Sequence, residues 1–193
     1  MTSLPGPVRP PGAAELLERA LVYSRGALAG VRPEHLALPT PCPGWSLAQL
    51  LRHMDDSLAA MADAASAPHL SLAPASSPTE AADLLASVRR RACTLVGRWA
   101  AADGGTVGLG GLVVEREAIG RVGALEITLH GWDVAQACGG ALPLPPVLAM
   151  DLWPVARDHL GAADLPCRAG AELQVADSAT PQERLLGLSG RRG

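Results

Sequence analysis

Apolar side chains recur at helical spacing in four long stretches of this chain, and that periodicity limits the fold more than any other feature. Residues 13–29 ("AAELLERALVYSRGALA") place Leu16, Leu17, Ala20, Leu21, Tyr23 and Leu28 on roughly one face. A second helix is expected from Ser46 to about Ala64. Ser46 follows Pro43 and Gly44 and precedes Gln49 by three residues, a capping box that satisfies otherwise orphan amides. In "TEAADLLASVRRRACTLVGRWAAA", Leu84, Leu85, Val88, Ala92, Leu95, Val96 and Trp99 mark a third stripe. The fourth helix is expected from about Glu115 to Cys138, stopped by Gly139-Gly140. A shorter helix follows over roughly 146–160, and Thr180, Pro181 and Glu183 signal one more helix start. The Ala/Ser/Pro-rich stretch 65–78 and the glycine-rich 103–112 ("DGGTVGLGGL") read as loops. With no GK[ST] following, the glycine loop is not expected to cradle phosphate. The expected fold is all-α: an antiparallel four-helix bundle with an additional C-terminal helix and an irregular tail. One domain spans 1–193, with its core at about 13–160 and a short extension at 161–193.

Composition narrows the function by exclusion. All 16 basic residues are Arg, and Lys, Asn and Phe are missing, a bias that tracks a GC-rich genome. The net charge is −3, and the longest basic run, Arg89-Arg90-Arg91, lies among apolar residues on the third helix, so no nucleic-acid partner is expected. The N-terminal stretch lacks the apolar core of a signal peptide, and no run of 18 residues avoids charges and turn formers. A soluble, cytoplasmic protein with no membrane partner is expected. Cys42, Cys93, Cys138 and Cys167 are far apart and form no CxxC pair, so they read as buried or incidental thiols.

The chemistry-bearing stretch is "ALEITLHGWDVAQACG" in the fourth helix. Glu126 and His130 are four apart and project from one face, and Asp133 extends that stripe. An acid and an imidazole among Ala, Leu, Ile, Val and Trp are costly to bury unless paired. The spacing alone leaves three readings: a solvent-facing pair, a buried hydrogen bond, or a shared metal. His53 stands alone on the apolar second helix, and by itself reads more readily as a core histidine than as a ligand.

Taken together, "TPCPGWSLAQLLRHM", "EITLHGWDVAQACG" and the closing "TPQERLLGLSGR" resemble the mycothiol-dependent maleylpyruvate isomerase family, within the wider DinB-like metalloenzymes. The resemblance runs from about residue 13 to residue 190. It implies a bundle that holds a divalent metal, zinc or nickel, through His53, Glu126 and His130, which are then the catalytic residues as well. Two nitrogens and one carboxylate oxygen leave a position open, as expected of a catalytic zinc site. The implied co-substrate is mycothiol, whose thiol pKa the metal lowers. The thiolate then attacks a small electrophilic substrate, with isomerisation or a stable thioether as the outcome. The Lys-free composition agrees with an actinobacterial source.

The same resemblance assigns expectations to the neighbours. Trp45 is expected to pack under the start of the second helix rather than to touch substrate. Asp133 is either a partner that orients an imidazole or a simple exposed carboxylate. Cys42 is conceivable as a fourth ligand, but nothing in the sequence brings its loop to the metal. The glycine loop is expected to stay flexible and border the pocket mouth, with Arg116 or Arg121 available for an anionic group. The isomerase carries a further C-terminal domain that residues 139–193 are too few to match, so maleylpyruvate itself is not the expected substrate. Two alternatives stand beside the thiol-dependent enzyme: a biosynthetic tailoring enzyme using the metal as a Lewis acid without thiol, and a non-catalytic metal-binding bundle. A homodimer is compatible with the sequence.

Overall fold

The structure is a computed structural model that describes residues 9–71, 73, 77–140, 142–160 and 170–192. Its helices are α1 (Ala13–Ala29), α2 (Leu47–Ala64), α3 (Ala81–Ala100), α4 (Arg116–Ala137), α5 (Pro146–Leu160) and α6 (Pro181–Leu188). Their ends follow the local chemistry. Ser46 and Gln49 close the capping box of α2, with Gln49 Oε1 accepting from the Ser46 amide at 2.9 Å. Thr180 and Glu183 do the same for α6, with Pro181 at its first position.

The expectation of an all-α chain is corrected by a small sheet: β1 (His69–Leu70), β2 (Thr106–Leu109) and β3 (Leu112–Glu115), in the order β1-β2-β3. β1 is parallel to β2, and β2 and β3 are antiparallel with Val107 opposite Val114 and Leu109 opposite Leu112. The stretch expected to be a flexible glycine loop is thus largely a hairpin. Gly110 and Gly111 are its two-residue turn, with φ of 55° and 87°, values that L side chains rarely adopt and that match the twist of the flanking strands. Their glycines specify a turn between β-branched runs rather than mobility.

The antiparallel bundle is also corrected. Contacts run in the same direction along α1 and α4: Ala13 meets Glu117 and Gly120, and Ser24 meets Ile127 and Gly131. α2 and α3 are likewise parallel, since Arg91 reaches Asp55 while Trp99 and Arg98 reach Met61 and Asp63. The packed pairs α2/α4 and α1/α3 run oppositely, as the meetings of His53 with Glu126, Met61 with Gly123, and Arg89 with Leu28 show. The connection from α2 to α3 therefore returns along α2, and Ser77 on the way donates to Asp55 at 2.8 Å. Long connections make this up-down-down-up order accessible.

α4 lies at the centre. Apart from Glu126, every residue from Gly123 to Ala135 is buried, so this half of the helix has no solvent face to display a periodic stripe. At Gly131 the backbone of α1 comes so close that an added Cβ would overlap the Ser24 hydroxyl, which donates to Ile127 O at 2.7 Å. The core is otherwise aliphatic, with Leu16, Leu17, Leu47, Leu50, Leu51, Leu125 and Leu129 fully enclosed. Each contributes roughly 2 kcal/mol by burial. No helix among the described residues is long and apolar enough to cross a membrane.

Candidate metal site

His53 from α2 meets Glu126 and His130 from α4 where these antiparallel helices face each other. His53 Nε2 lies 3.3 Å from Glu126 Oε1, and His130 Nε2 lies 3.9 Å from the same oxygen. The two imidazoles stand edge to face, their centroids 5.0 Å apart. One ligand atom from each of the three residues lies within 4.8 Å of the others, a spacing that can close on one ion. Glu126 Oε2 and His130 Nε2 are buried and have no hydrogen-bond partner among the described residues. A buried acceptor left so costs about 1–3 kcal/mol, more when charged, unless something binds it. Two imidazole nitrogens and a carboxylate fit a divalent cation such as zinc. Burial works against ionisation of Glu126, but the His53 hydrogen bond and the charges of His130, His53 and Arg191 outweigh it and leave its carboxyl below the usual range.

His130 is held from its far side. Its Nδ1 lies 2.9 Å from Asp133 Oδ2, and Asp133 in turn receives Arg191 Nε at 2.8 Å and Nη2 at 2.6 Å. Burial alone would raise the Asp133 carboxyl, yet the hydrogen bonds from Arg191 and His130 and their charges hold it at about 2. An ionised Asp133 can only accept, so Nδ1 carries the proton and the Nε2 lone pair is presented to Glu126 and His53. Asp133 is thus buried against the His130 imidazole and is not an exposed carboxylate.

The fold also brings in Cys42. The loop before α2 doubles back through Thr40 N to Trp45 O at 3.0 Å and Trp45 N to Cys42 O at 3.1 Å. This buries the thiol, which donates to Asp133 Oδ2 at 3.2 Å and lies 3.9 Å from His130 Nδ1. Cys42, His130 and Asp133 form a second group with ligand-like spacing. That group is poorly suited to a metal, because Arg191 already sits on Asp133 and 3.8 Å from Cys42 Sγ. Burial and the Asp133 charge push the Cys42 thiol up to about 12, so it stays protonated at neutral pH. The same loop sets Trp45 edge-on against the His53 ring, with centroids 5.2 Å apart, where it steadies the imidazole as well as the helix start.

A cavity of about 320 Å³ opens from Glu126 along α4 to the hairpin, with Leu109 and Val114 in its wall. The stretch expected to border the pocket does so, as strands. Arg116 and Arg121 do not line this cavity. Arg116 donates to Ala64 O and, at 2.9 Å, to Ala67 O, pinning the start of α4 to the end of α2. Arg121 pairs with Glu117 at 3.0 Å and donates to Pro11 O at 2.9 Å. Cys93 is exposed and Cys138 partly buried, both away from this site, and Cys167 falls outside the described residues.

Sequence reasoning missed Arg191, which is fully buried. A signal exists in the sequence: Asp133 on an enclosed helix requires a counter-charge, and an Arg three residues past the apolar end of α6 is placed to enter the core. His159, at the far rim of the cavity, was also passed over.

A comparison with curated proteins gave no match. The family model of the mycothiol maleylpyruvate isomerase N-terminal domain matches residues 17–135, more than half of the chain, and that span includes His53, Glu126, His130 and Asp133 but not Arg191. The chain belongs to the mycothiol maleylpyruvate isomerase N-terminal domain family.

Proposed function

We propose that this protein is a divalent-metal-dependent enzyme of the mycothiol-dependent isomerase or S-transferase type, with His53, Glu126 and His130 as the metal ligands. The observation that carries this reading is the pair of buried acceptors, Glu126 Oε2 and His130 Nε2, that have no partner among the described residues and lie beside His53, with Glu126 itself in the wall of a cavity. What a divalent cation, zinc or nickel, supplies when held there is a lowered pKa for a ligating thiol, so that mycothiol is present as thiolate at neutral pH.

The chain's own residues prepare the site. Trp45 and Asp133 fix the two imidazoles so that little reorganisation is needed on binding. The apolar wall keeps water from competing for the electrophile. Cys42 is not the nucleophile, because its thiol is protonated and committed to Asp133.

The test is to incubate the metal-loaded protein with mycothiol and either maleylpyruvate or an uncharged α,β-unsaturated ketone, following loss of free thiol and of substrate. The expected result is conversion of one of them that stops when mycothiol is omitted and is lost in His130→Ala. Full-rate conversion without thiol would replace this reading by the Lewis-acid tailoring enzyme. No conversion of either compound by metal-loaded protein would favour the non-catalytic bundle.

A further inference from the structure

Glu126 heads a row on one face of α4. Ile119, Val122, Gly123 and Glu126 stand at i, i+3, i+4 and i+7, and all four line the same cavity. Moving from Glu126 toward the start of α4, the face therefore changes from a carboxylate to a purely apolar surface. The wall around it is of the same kind: Leu109 and Val114 from the hairpin, with Met61 from α2 and Leu70 from β1. These side chains, Met61 excepted, are only partly buried, so the fold leaves apolar surface facing a space of about 320 Å³, within the range of small-molecule pockets. Arginine, the usual partner of a substrate carboxylate, is missing from the lining among the described residues, and the two nearby arginines are engaged elsewhere. Among the described residues, His159, itself exposed, is the single basic side chain in the wall.

We propose that the electrophile this site takes has an uncharged, apolar body, selected by Leu109 and Val114 of the hairpin together with Ile119 and Val122 of α4. This rests on the reading of the His53–Glu126–His130 end as the reacting end. A carboxylate placed among these side chains would leave water without gaining a partner, whereas an aromatic or branched aliphatic body would cover surface that is now half exposed. The hairpin sets specificity because its register places Leu109 and Val114, rather than polar loop residues, against α4.

The experiment is equilibrium binding by calorimetry to the metal-loaded full chain, with no thiol present. The probes are 4-phenyl-3-buten-2-one and its para-carboxylate, which differ by one charged group. The neutral ketone is expected to bind at least about tenfold more tightly, the scale expected for burying an unpaired charge. Leu109→Arg should erase or reverse that preference. Equal or tighter binding of the carboxylate, a preference indifferent to Leu109→Arg in a variant with unchanged metal content, or no binding of either probe would overturn the proposal. The comparison of the two probes on the unaltered chain does not depend on any variant folding. A preference for the neutral ketone without thiol-dependent conversion would leave this inference standing and remove the thiol chemistry, while conversion without the preference would do the reverse.

Discussion

Arg191 closes on Asp133 through two hydrogen bonds, Nε to Oδ1 at 2.8 Å and Nη2 to Oδ2 at 2.6 Å, with both side chains wholly out of solvent. The pair ties the chain beyond α6 to the C-terminal part of α4, about one turn past His130. Removing one partner strands a buried charge. Arg191→Met is therefore expected to cost about 3–5 kcal/mol in urea unfolding. The double variant Arg191→Met/Asp133→Asn should recover part of that loss, because it leaves no unpaired charge. A single-variant loss under about 1 kcal/mol would show that the pair is not closed in solution.

The same pair sets a pH dependence with a definite sign. Asp133 is held at about 2, below its usual value near 3.9 in an unfolded chain. A depressed carboxylate contributes stability that is present above the unfolded value and is lost as pH falls through it toward the folded one. Unfolding free energy is thus expected to drop between about pH 4 and pH 2, on the order of 2 kcal/mol from this group. The double variant Arg191→Met/Asp133→Asn should show a flatter profile over the same window.

Cys42 offers a separate check of the loop geometry. With its thiol pushed up to about 12 and buried, it should resist alkylation at pH 8 in the folded protein, while exposed Cys93 reacts readily. Peptide mapping after a short iodoacetamide pulse distinguishes the two. Cys42→Ala should also retain thiol-dependent turnover, since this thiol is protonated, buried and donates to Asp133.

The helices of this protein were legible because each carries local signals. The capping boxes at Ser46 and Thr180 and the stripe from Leu16 to Leu28 need no distant partner to be read. Helix direction is not a local property: that α2 and α3 run parallel depends on a connection that returns past Asp55. The hairpin is hidden in the sequence because glycines that form a turn look, in isolation, like glycines that loosen a loop. At the site, Glu126 and His130 could be placed on one face by spacing, but His53 could be brought to them only by the resemblance to a known family. Cys42 reaches His130 through backbone hydrogen bonds of a non-repeating loop, and Arg191 reaches Asp133 across 58 positions of sequence. Neither leaves a periodic trace.

The most direct test of the central claim is the metal content and affinity of the purified protein and its variants. One divalent ion per chain is expected in the unaltered protein, measured by elemental analysis after dialysis against metal-free buffer. Asp133→Ala should weaken binding by roughly 10–100-fold, as loss of a partner that orients a ligating histidine does, and His53→Ala and His130→Ala should each weaken it further. Full occupancy in both histidine variants would contradict the assignment of His53, Glu126 and His130 as the metal site.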